Sequence, residues 1–411
     1  MQEPPLSSAA PARHAAVAFI LVALGIDAVG IGIVIPILPE LVRRLAGLDR
    51  AHASIALGGV VAAFALAQLF ASPVLGALSD RFGRRPVLLA SIAGIAANYL
   101  LLAWAPSLGW IYLGRLLAGA TSANVATASA YIADVTPEAL RARRFGLVSA
   151  TFGVGFVLGP ALGGWLGAID LRLPFVIAAA LAAANLLYGL FVLPESLAPE
   201  NRRPFAWRGT SPVAALRTLA ADAVLRRLAL AWSCQWLGLG TLQTVFVLYT
   251  GARFGWGPPQ NGMALAVVGI SGALVQTLLV RPVTQRLGER RAALVGYLAS
   301  GASYVVLALA PAGWVIYPAI VGNALGQIAV PAARAMVSMR VGPQRQGSTF
   351  GALSVVEGLT AIVSPMLASA LFSVFARPDA VPHLPGAPFL LAAAAFLVAF
   401  STIRGLRRLS I

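Results

Sequence analysis

The sequence predicts an all-α membrane protein with twelve transmembrane helices in two six-helix halves related by a pseudo-two-fold axis. Of its 411 residues, 59% are hydrophobic and 11% are charged, whereas about 25% of a soluble globular domain is charged. The apolar residues are gathered into runs of about 20, the length of a membrane-spanning helix. Several motifs also recur at one fixed spacing, so the chain reads as one unit written twice.

The repeat has a spacing of 205 residues, as from Pro160 to Pro365. The segment 76–86 (GALSDRFGRRP) has a weaker copy at residues 285–290 (QRLGER). A parallel repeat of two six-helix units places the pseudo-two-fold along the membrane normal, and we expect substrate to bind near mid-membrane between the halves. Other features that return at this spacing are Phe145-Gly146 with Ser149 and Gly153, as Phe350-Gly351 with Ser354 and Gly358, and Ala105-Pro106 as Ala310-Pro311.

Twelve apolar runs can be counted along the chain. The longest polar segment, residues 194–227, separates six runs from six and holds six arginines. We interpret it as a cytoplasmic linker, with a short amphipathic helix near residues 213–219, between an N-terminal half (1–193) and a C-terminal half (228–411). The runs are 16–38, 52–74, 86–104, 109–133, 145–167, 173–193, 228–250, 260–282, 292–310, 314–338, 348–375 and 386–404.

The arginines predict the orientation, and all 30 basic residues are arginine. The termini, the linker and the loops on their side hold 22 of them, the opposite loops hold six, and Arg115 and Arg334 lie inside runs. The positive-inside rule then places both termini in the cytoplasm of a cell whose inner membrane the protein spans. The net charge of +16 is explained by topology better than by nucleic-acid binding. The first run lacks a cleavage site, so we expect it to be retained.

Segment 76–86 is the most specific motif. Its glycines allow tight turns, its aspartate can accept from an arginine or a helix N-terminus, and its arginines stay at the cytoplasmic face. We expect a rearrangeable charge cluster that latches one conformation and releases in another; the alternative is a basic loop that only sets topology. The residues concerned are Gly76, Asp80, Arg81, Gly83, Arg84 and Arg85.

Residues 155–164 (GFVLGPALGG) form the second motif. Small residues on one helix face permit close packing between helices in lipid, and an internal proline removes one backbone donor and bends the helix. We expect a tightly packed helix whose bend acts as a hinge at the interface of the halves. The residues concerned are Gly155, Gly159, Pro160, Gly163 and Gly164.

These motifs resemble those of the major facilitator superfamily over nearly the whole chain. Segment 76–86 matches its loop signature, 113–119 (LGRLLAG) its fourth-helix motif, and 155–164 the fifth-helix motif of drug/proton antiporters. Residues 26–39 (IDAVGIGIVIPILP) and 133–136 (ADVT) are similar to tetracycline/proton antiporters. The resemblance implies proton-coupled efflux of a drug-like compound, and it implies gating by Asp134 and a role for Arg115 in proton transfer or its gating.

Two positions depart from that pattern. The resemblance implies carboxylates in the third and ninth helices, where this sequence has Asn98 and Ser300. Their absence argues against tetracycline itself as the substrate and against that route of proton coupling. Two other carboxylates, Asp27 and Glu357, lie well inside apolar runs. A charge in the bilayer core costs at least ~2.5 kcal/mol, so both are candidate proton-coupling groups. Alternatively, Asp27 pairs structurally and Glu357 faces a cytoplasmic vestibule.

Polar and aromatic residues inside the runs predict a largely neutral cavity for an amphipathic or uncharged compound. Trp236 and Tyr304 can stack on a planar substrate, and Arg334 can pair with Glu357 or an anionic substrate, or else snorkel to the interface. For any single member, hydrogen bonding between helices is the commoner role. The predicted cavity residues are Gln68, Asn98, Asn124, Gln235, Trp236, Gln243, Gln276, Ser300, Tyr304, Asn323, Gln327 and Arg334.

The sequence therefore predicts a secondary active transporter that works by alternating access, with protons, a small molecule and the lipid bilayer as partners. We expect a monomer. We also expect that the protein is not an enzyme and uses no cofactor and no metal, because the chain has no phosphate-binding glycine loop, no His/Cys cluster and no hydrolase triad. Alternatives are an uncoupled facilitator, a transporter of a specific metabolite, and a receptor or scaffold on the same fold.

Overall fold

A computed structural model describes residues 9–122, 124–202 and 212–408, and these residues form helices joined by short turns. The helices are α1 (Ala9–Val34), α2 (Leu38–Ala46), α3 (Arg50–Phe82), α4 (Arg84–Trp104), α5 (Leu108–Ala120), α6 (Asn124–Val135), α7 (Glu138–Ile169), α8 (Leu173–Val192), α9 (Pro212–Ala221), α10 (Ala223–Phe254), α11 (Pro258–Leu274), α12 (Val280–Leu309), α13 (Ile316–Gly326), α14 (Ala329–Arg340), α15 (Pro343–Phe375) and α16 (Ala387–Arg404). A π-helical turn, Val275–Leu279, joins α11 to α12.

The predicted class, an all-α membrane protein, is confirmed. The described residues contain eight helices long and apolar enough to cross a membrane, and a ninth if α1 and α2, which meet at 45°, form one bent span. One of these stretches, Pro258–Leu309, has 52 residues. That is about 78 Å of helix, more than twice the ~30 Å hydrocarbon core. The count of twelve spans stays a prediction.

Helix boundaries recur at the predicted spacing of 205 residues. α7 and α15 begin 205 residues apart, at Glu138 and Pro343, and each contains one of the paired prolines. α4 follows Gly83, whose φ is 109°, and α12 is interrupted at Gly288, whose φ is 72°. Both glycines also have an extended ψ, 164° and 159°. This combination is essentially confined to glycine, so the repeat holds at the level of single backbone torsions.

Three predicted runs are not continuous helices. The run 109–133 divides into α5 and α6, and the run 314–338 divides into α13 and α14. The two breaks are again 205 residues apart, at Ser122 and Gln327. The first run ends its helix at Val34, where a turn leads into α2. Apolar length predicts a span, but it does not predict these interruptions.

The two halves meet mainly along two helix pairs, α3 with α15 and α7 with α11, and α10 also contacts α2 and α3. In the first pair, Ser54 Oγ donates to the carbonyl oxygen of Ser369 at 3.0 Å. A Cβ atom on Gly58 would lie 2.6 Å from Ser369 Oγ. In the second pair, a Cβ atom on Gly262 would lie 2.6 Å from the carbonyl oxygen of Pro160. Glycine at these positions therefore permits the close backbone approach that helix packing in lipid favours.

Close packing between the halves extends from one end of the bundle to its middle, where Gly269 faces the Phe156 backbone and Gly358 faces Leu69. Ser54 and Gly58 belong to the first turns of α3, and Gly262 belongs to the first turns of α11. These turns are remote from segment 76–86, which lies at the other end of α3. Toward that other end, a Cβ atom on Gly146 or Gly351 would meet no atom within 4 Å. The interface is thus tight at one end and looser at the end that carries segment 76–86.

The segment 194–227, predicted as a linker, includes α9, which confirms the short helix predicted at 213–219 and packs against α15. Residues 203–211 of the linker lie outside the described residues. Asp222 caps α10 by accepting from the N–H groups of Val224 at 2.7 Å and Leu225 at 3.1 Å, and it pairs with Arg340 at 2.9 Å. Burial acts to raise the pKa of Asp222, but these hydrogen bonds outweigh it and leave the pKa below its usual value.

Candidate functional site

Segment 76–86 is held by a glutamate that the motif analysis did not single out. The Glu195 carboxylate accepts hydrogen bonds from the N–H groups of Arg84 at 2.8 Å and Arg85 at 3.2 Å. It thereby caps the N-terminus of α4, where a negative charge is favourable. A Cβ atom on Gly83 would overlap this carboxylate. The signal that would have found Glu195 is its place as the first acid after the run 173–193.

Arg84 is the centre of an ion-pair network around this cap. Its guanidinium contacts Asp80 Oδ1 at 2.5 Å and Asp134 Oδ2 at 3.2 Å. Ser196 Oγ donates to the same Asp134 oxygen at 3.1 Å. The network joins the end of α3, the start of α4, the end of α6 and the chain after α8, all within the N-terminal half. Arg81 takes no part in it, because its exposed guanidinium lies over the ring of Phe82 at 4.9 Å.

The copy of this segment in the C-terminal half preserves one of its contacts. Arg85 Nη2 donates to the carbonyl oxygen of Leu190 at 2.6 Å, near the C-terminus of α8. Arg290, the equivalent of Arg85, donates to the carbonyl oxygens of Ile403 at 3.2 Å and Arg404 at 2.6 Å, at the end of α16. Each arginine thus satisfies carbonyl groups that a helix terminus leaves free. The acids are not repeated, since Gln285 stands at the place of Asp80.

A buried polar cluster lies in the N-terminal half. Asp27 of α1 is 5% exposed, and both its carboxylate and the Arg115 guanidinium of α5 act electrostatically on the Tyr99 hydroxyl of α4. Arg115 lies over the ring of Phe64 at 5.1 Å. Asn98, also buried, faces the backbone of α5, since a Cβ atom on Gly114 would lie 3.1 Å from its Oδ1. The structure therefore gathers Asp27, Asn98 and Arg115 around Tyr99.

A second cluster surrounds Glu357 in the C-terminal half. Trp232 Nε1 donates to Glu357 Oε1 at 2.8 Å, and the Trp236 side chain, one turn along α10, also stabilises the charge of this carboxylate. The Arg334 guanidinium of α14 lies over the Trp232 ring at 5.3 Å and attracts the same carboxylate. Nearby, the hydroxyls of Ser233 and Thr360 are 3.0 Å apart. Glu357 is thus hydrogen-bonded by the Trp232 indole, with the Trp236 indole and the Arg334 guanidinium acting on the same carboxylate.

The glycine motif of α7 presents two faces. Cβ atoms on Gly155, Gly159 and Gly163 would each collide with α1, and on Gly159 the distance to the Val29 carbonyl oxygen would be 2.6 Å. Gly164 faces α11, where a Cβ atom on it would lie 2.5 Å from the Pro258 carbonyl oxygen. The Pro160 ring lies against Gly32 of α1, whereas its carbonyl oxygen faces Gly262 of α11. α7 stays helical through Pro160. The motif therefore packs against α1 on one side and against the C-terminal half on the other.

The remaining predicted cavity residues divide into three groups. Gln68 donates to Ser122 Oγ at 2.8 Å, Ser300 donates to Asn323 at 3.2 Å, and Gln327 packs against Gly272. Gln243 and Gln276 are exposed, and the half-buried Gln235 has no partner for its Oε1 within the described chain. Asn124 begins α6, but its side chain lies outside the described residues.

Tyr304 is placed differently from the prediction. It is fully buried against Phe389 and Phe396, at ring distances of 6.0 and 5.2 Å, and its hydroxyl donates to the Gly238 carbonyl oxygen at 2.8 Å. Its ring therefore has no face open to a planar substrate in this conformation. Gly76 lies inside the helix α3, so the turn predicted at this position is wrong, and a Cβ atom there would meet no described atom within 4 Å.

Comparisons with known proteins agree with this geometry. The family described as the Major Facilitator Superfamily matches residues 20–365 and 252–408. The chain is similar to the tetracycline resistance protein, class C, of Escherichia coli, with 41% identity over 94% of this chain and 95% of that protein. It is also similar to the class G protein of Vibrio anguillarum, with 38% identity over 89% of this chain and 92% of that protein.

Solved structures share the fold. The nucleoside transporter NupG has a TM-score of 0.76 and 13% identity, over 97% of this chain and 99% of that one. The human organic anion transporter MFSD10 (TETRAN) has a TM-score of 0.71 and 23% identity, over 98% of this chain and 100% of that one. The family match and the tetracycline resistance proteins of 38–41% identity show that the chain belongs to the Major Facilitator Superfamily and is a membrane transporter, not an enzyme.

Proposed function

We propose that this protein is a proton-coupled exporter of a small, drug-like amphipathic compound. The observation that carries the proposal is the pair of carboxylates, Asp27 and Glu357, that sit within the membrane-spanning helices of different halves, each in a cluster with an arginine. Such groups are costly in a bilayer and mark proton or substrate pathways. Protonation of either one changes the charge of its cluster by one unit, so proton binding biases the conformation that the cluster prefers.

Alternating access is the proposed mechanism of movement. The tight ends of the α3–α15 and α7–α11 pairs support a chamber that is closed on one side and opens toward segment 76–86. In our proposal that side is the cytoplasm, with both termini and the linker, because it holds the arginine excess. Pro160 and Gly164 lie where the halves meet, which supports a hinge role for this part of α7. The ion pairs of Arg84 then stabilise this state and rearrange when the chamber closes there.

The substrate class is proposed from the relatives and from the cluster residues. Curated relatives with 35–41% identity are named tetracycline resistance proteins, so tetracycline is the first compound to test. Asn98 and Ser300, where the resemblance implies carboxylates, argue for a compound that needs neither acid. Glu357 between Trp232 and Trp236 offers one carboxylate and two indole rings. This combination suits a planar ligand with a polar edge. We propose that the protein works as a monomer.

A growth-inhibition panel in a pump-deficient bacterium tests the function and its substrate. Cells express the wild type, Glu357→Gln, or Glu200→Gln, which removes an exposed acid of the linker region as a matched control. We expect the wild type and Glu200→Gln to raise the inhibitory concentration of at least one planar amphipathic drug, and Glu357→Gln to abolish that rise. Resistance retained in full by Glu357→Gln would overturn the proposed coupling. If the substrate flux in liposomes does not change when a pH gradient is imposed, the protein is a facilitator and not a proton-coupled exporter.

A further inference from the structure

Two stripes of exposed apolar side chains run along the membrane-spanning part of α11 and α12. The first comprises Ile270, Leu274 and Leu278 and continues into the exposed Arg281. The second comprises Leu298 and Val295 and continues into the exposed Arg291. Steps of three or four residues place the members of each stripe on one helix face. An exposed ridge of large apolar residues on a spanning helix faces lipid, so both arginines stand where lipid chains give way to head groups.

Arg281 and Arg291 lie on either side of the interruption at Gly288, and the exposed Arg286 lies between them. Within the described chain, none of the three forms an ion pair with a carboxylate. The nearest acid in sequence is Glu289, and it is the one acidic residue between Pro258 and Glu357. This rim of the C-terminal half is therefore strongly positive, at the level of the membrane surface.

The N-terminal half has no equivalent rim. Gly76 occupies the position of Arg281, and Pro86 occupies that of Arg291. The first copy keeps Arg81 at the position of Arg286, but its other two arginines are bound by carboxylates or by a helix terminus. The positive-inside rule explains positive charge in this loop. It does not explain why the arginines at the ends of two lipid-facing stripes form no ion pair. These positions therefore call for a ligand from the membrane.

We propose that Arg281, Arg286 and Arg291 bind the phosphate head group of an anionic membrane lipid, whose acyl chains lie along the two apolar stripes. The planar guanidinium matches phosphate oxygens with two parallel N–H···O bonds, and a basic site beside transmembrane helices is the expected form of anionic-lipid recognition. This inference depends on the membrane placement of the chain and not on the identity of its substrate.

Native mass spectrometry of the purified full-length protein tests the site. Detergent micelles contain either phosphatidylglycerol or phosphatidylcholine, and the bound lipid is counted. Each arginine near a membrane surface contributes about fivefold to anionic-lipid affinity. We expect wild type to retain phosphatidylglycerol in preference to phosphatidylcholine, and R281Q/R291Q to lose about 25-fold of that preference.

The matched control removes the same charge from the opposite end of the bundle, as R44Q/R253Q. Arg44 belongs to α2 and Arg253 to the last turn of α10, and the whole length of α11 separates Arg253 from Arg281. This variant is expected to keep the wild-type preference. A double variant R281Q/R291Q that binds phosphatidylglycerol as tightly as wild type overturns the proposal. So does an equal loss in the control, because net charge rather than a site would then explain the binding.

Discussion

Segments 76–86 and 285–290 share a backbone but differ in chemistry. Both contain a glycine with positive φ before a membrane-spanning helix, and both use one arginine to bind the carbonyl end of the last helix of their half. Only the first has Asp80, Asp134 and Glu195 around it. The duplication thus accounts for how the chain turns, and the acids account for which copy can work as a latch. Around the second copy, Arg281, Arg286 and Arg291 form no ion pair within the described chain, so these three arginines can contact the membrane.

The clusters around Asp27 and Glu357 also share a framework and differ in chemistry. Asp27 and Trp232 are equivalent positions at the 205-residue spacing, and so are Phe152 and Glu357. In the C-terminal half these equivalent positions are in contact, since Trp232 donates to Glu357 at 2.8 Å. The acid lies on α1 in the N-terminal half and on α15 in the C-terminal half. Each half therefore offers one titratable group, in a different place within the same framework.

The largest effect is expected from removing these acids one at a time. Glu357→Gln and Asp27→Asn each keep the size of the side chain but cannot release a proton, so transport against a gradient should fall to the level of protein-free liposomes. The measurement is substrate flux in proteoliposomes with an imposed pH gradient, with downhill exchange as the test of intact folding. Glu200→Gln should leave both fluxes unchanged.

The comparison predicts that the two acids are both needed. Full gradient-driven transport by Asp27→Asn, with loss in Glu357→Gln, would make Asp27 a structural residue and place proton coupling in the C-terminal half alone. The reverse result would place it in the N-terminal half. Undiminished transport by both variants would remove the mechanism proposed here.

The next effect concerns the paired glycines. Gly83→Ala and Gly288→Ala both force a Cβ atom into a torsion region that costs about 1–3 kcal/mol. Gly288 has no atom within 4 Å of that Cβ, whereas at Gly83 it would overlap the Glu195 carboxylate. Displacing this cap costs about 1 kcal/mol more. We therefore expect a larger drop in the thermal unfolding midpoint for Gly83→Ala than for Gly288→Ala.

A variant that lacks Glu195 separates the contribution of the cap from the cost of the backbone torsion. When Glu195 is already replaced by alanine, the additional cost of Gly83→Ala should fall to that of Gly288→Ala, because the two changes share one contact. If the drops in the unfolding midpoint caused by the two substitutions simply add, Glu195 does not hold the first copy in place. In that case, the difference between the two segments would lie in the ion pairs of Arg84 alone.

The sequence predicts more of the framework than of the chemistry. Apolar length and the 205-residue spacing predict the helices, and Pro160 and Pro365 mark one equivalent pair. The breaks at Ser122 and Gln327 are missed, because nothing in an apolar run of 25 residues marks where a helix will be interrupted by its neighbours. Glu195 is missed because its role depends on α4 beginning beside it in space. The prediction for Tyr304 differs from the structure because the sequence does not show whether an aromatic ring inside a span faces a chamber or the core.

The smallest effect tests the contact that the two copies share. Arg85→Gln removes one hydrogen bond and Arg290→Gln removes two hydrogen bonds to carbonyl groups at a helix C-terminus, each bond worth about 0.5–1.5 kcal/mol. If the halves are equivalent at this point, the drop in the thermal unfolding midpoint should follow the number of bonds removed, and both variants should leave transport intact. Unfolding in detergent and flux in proteoliposomes measure the two consequences separately. A loss of transport in Arg85→Gln alone, with no greater loss of stability, would show that even the shared contact has acquired a gating role in the copy that carries the acids.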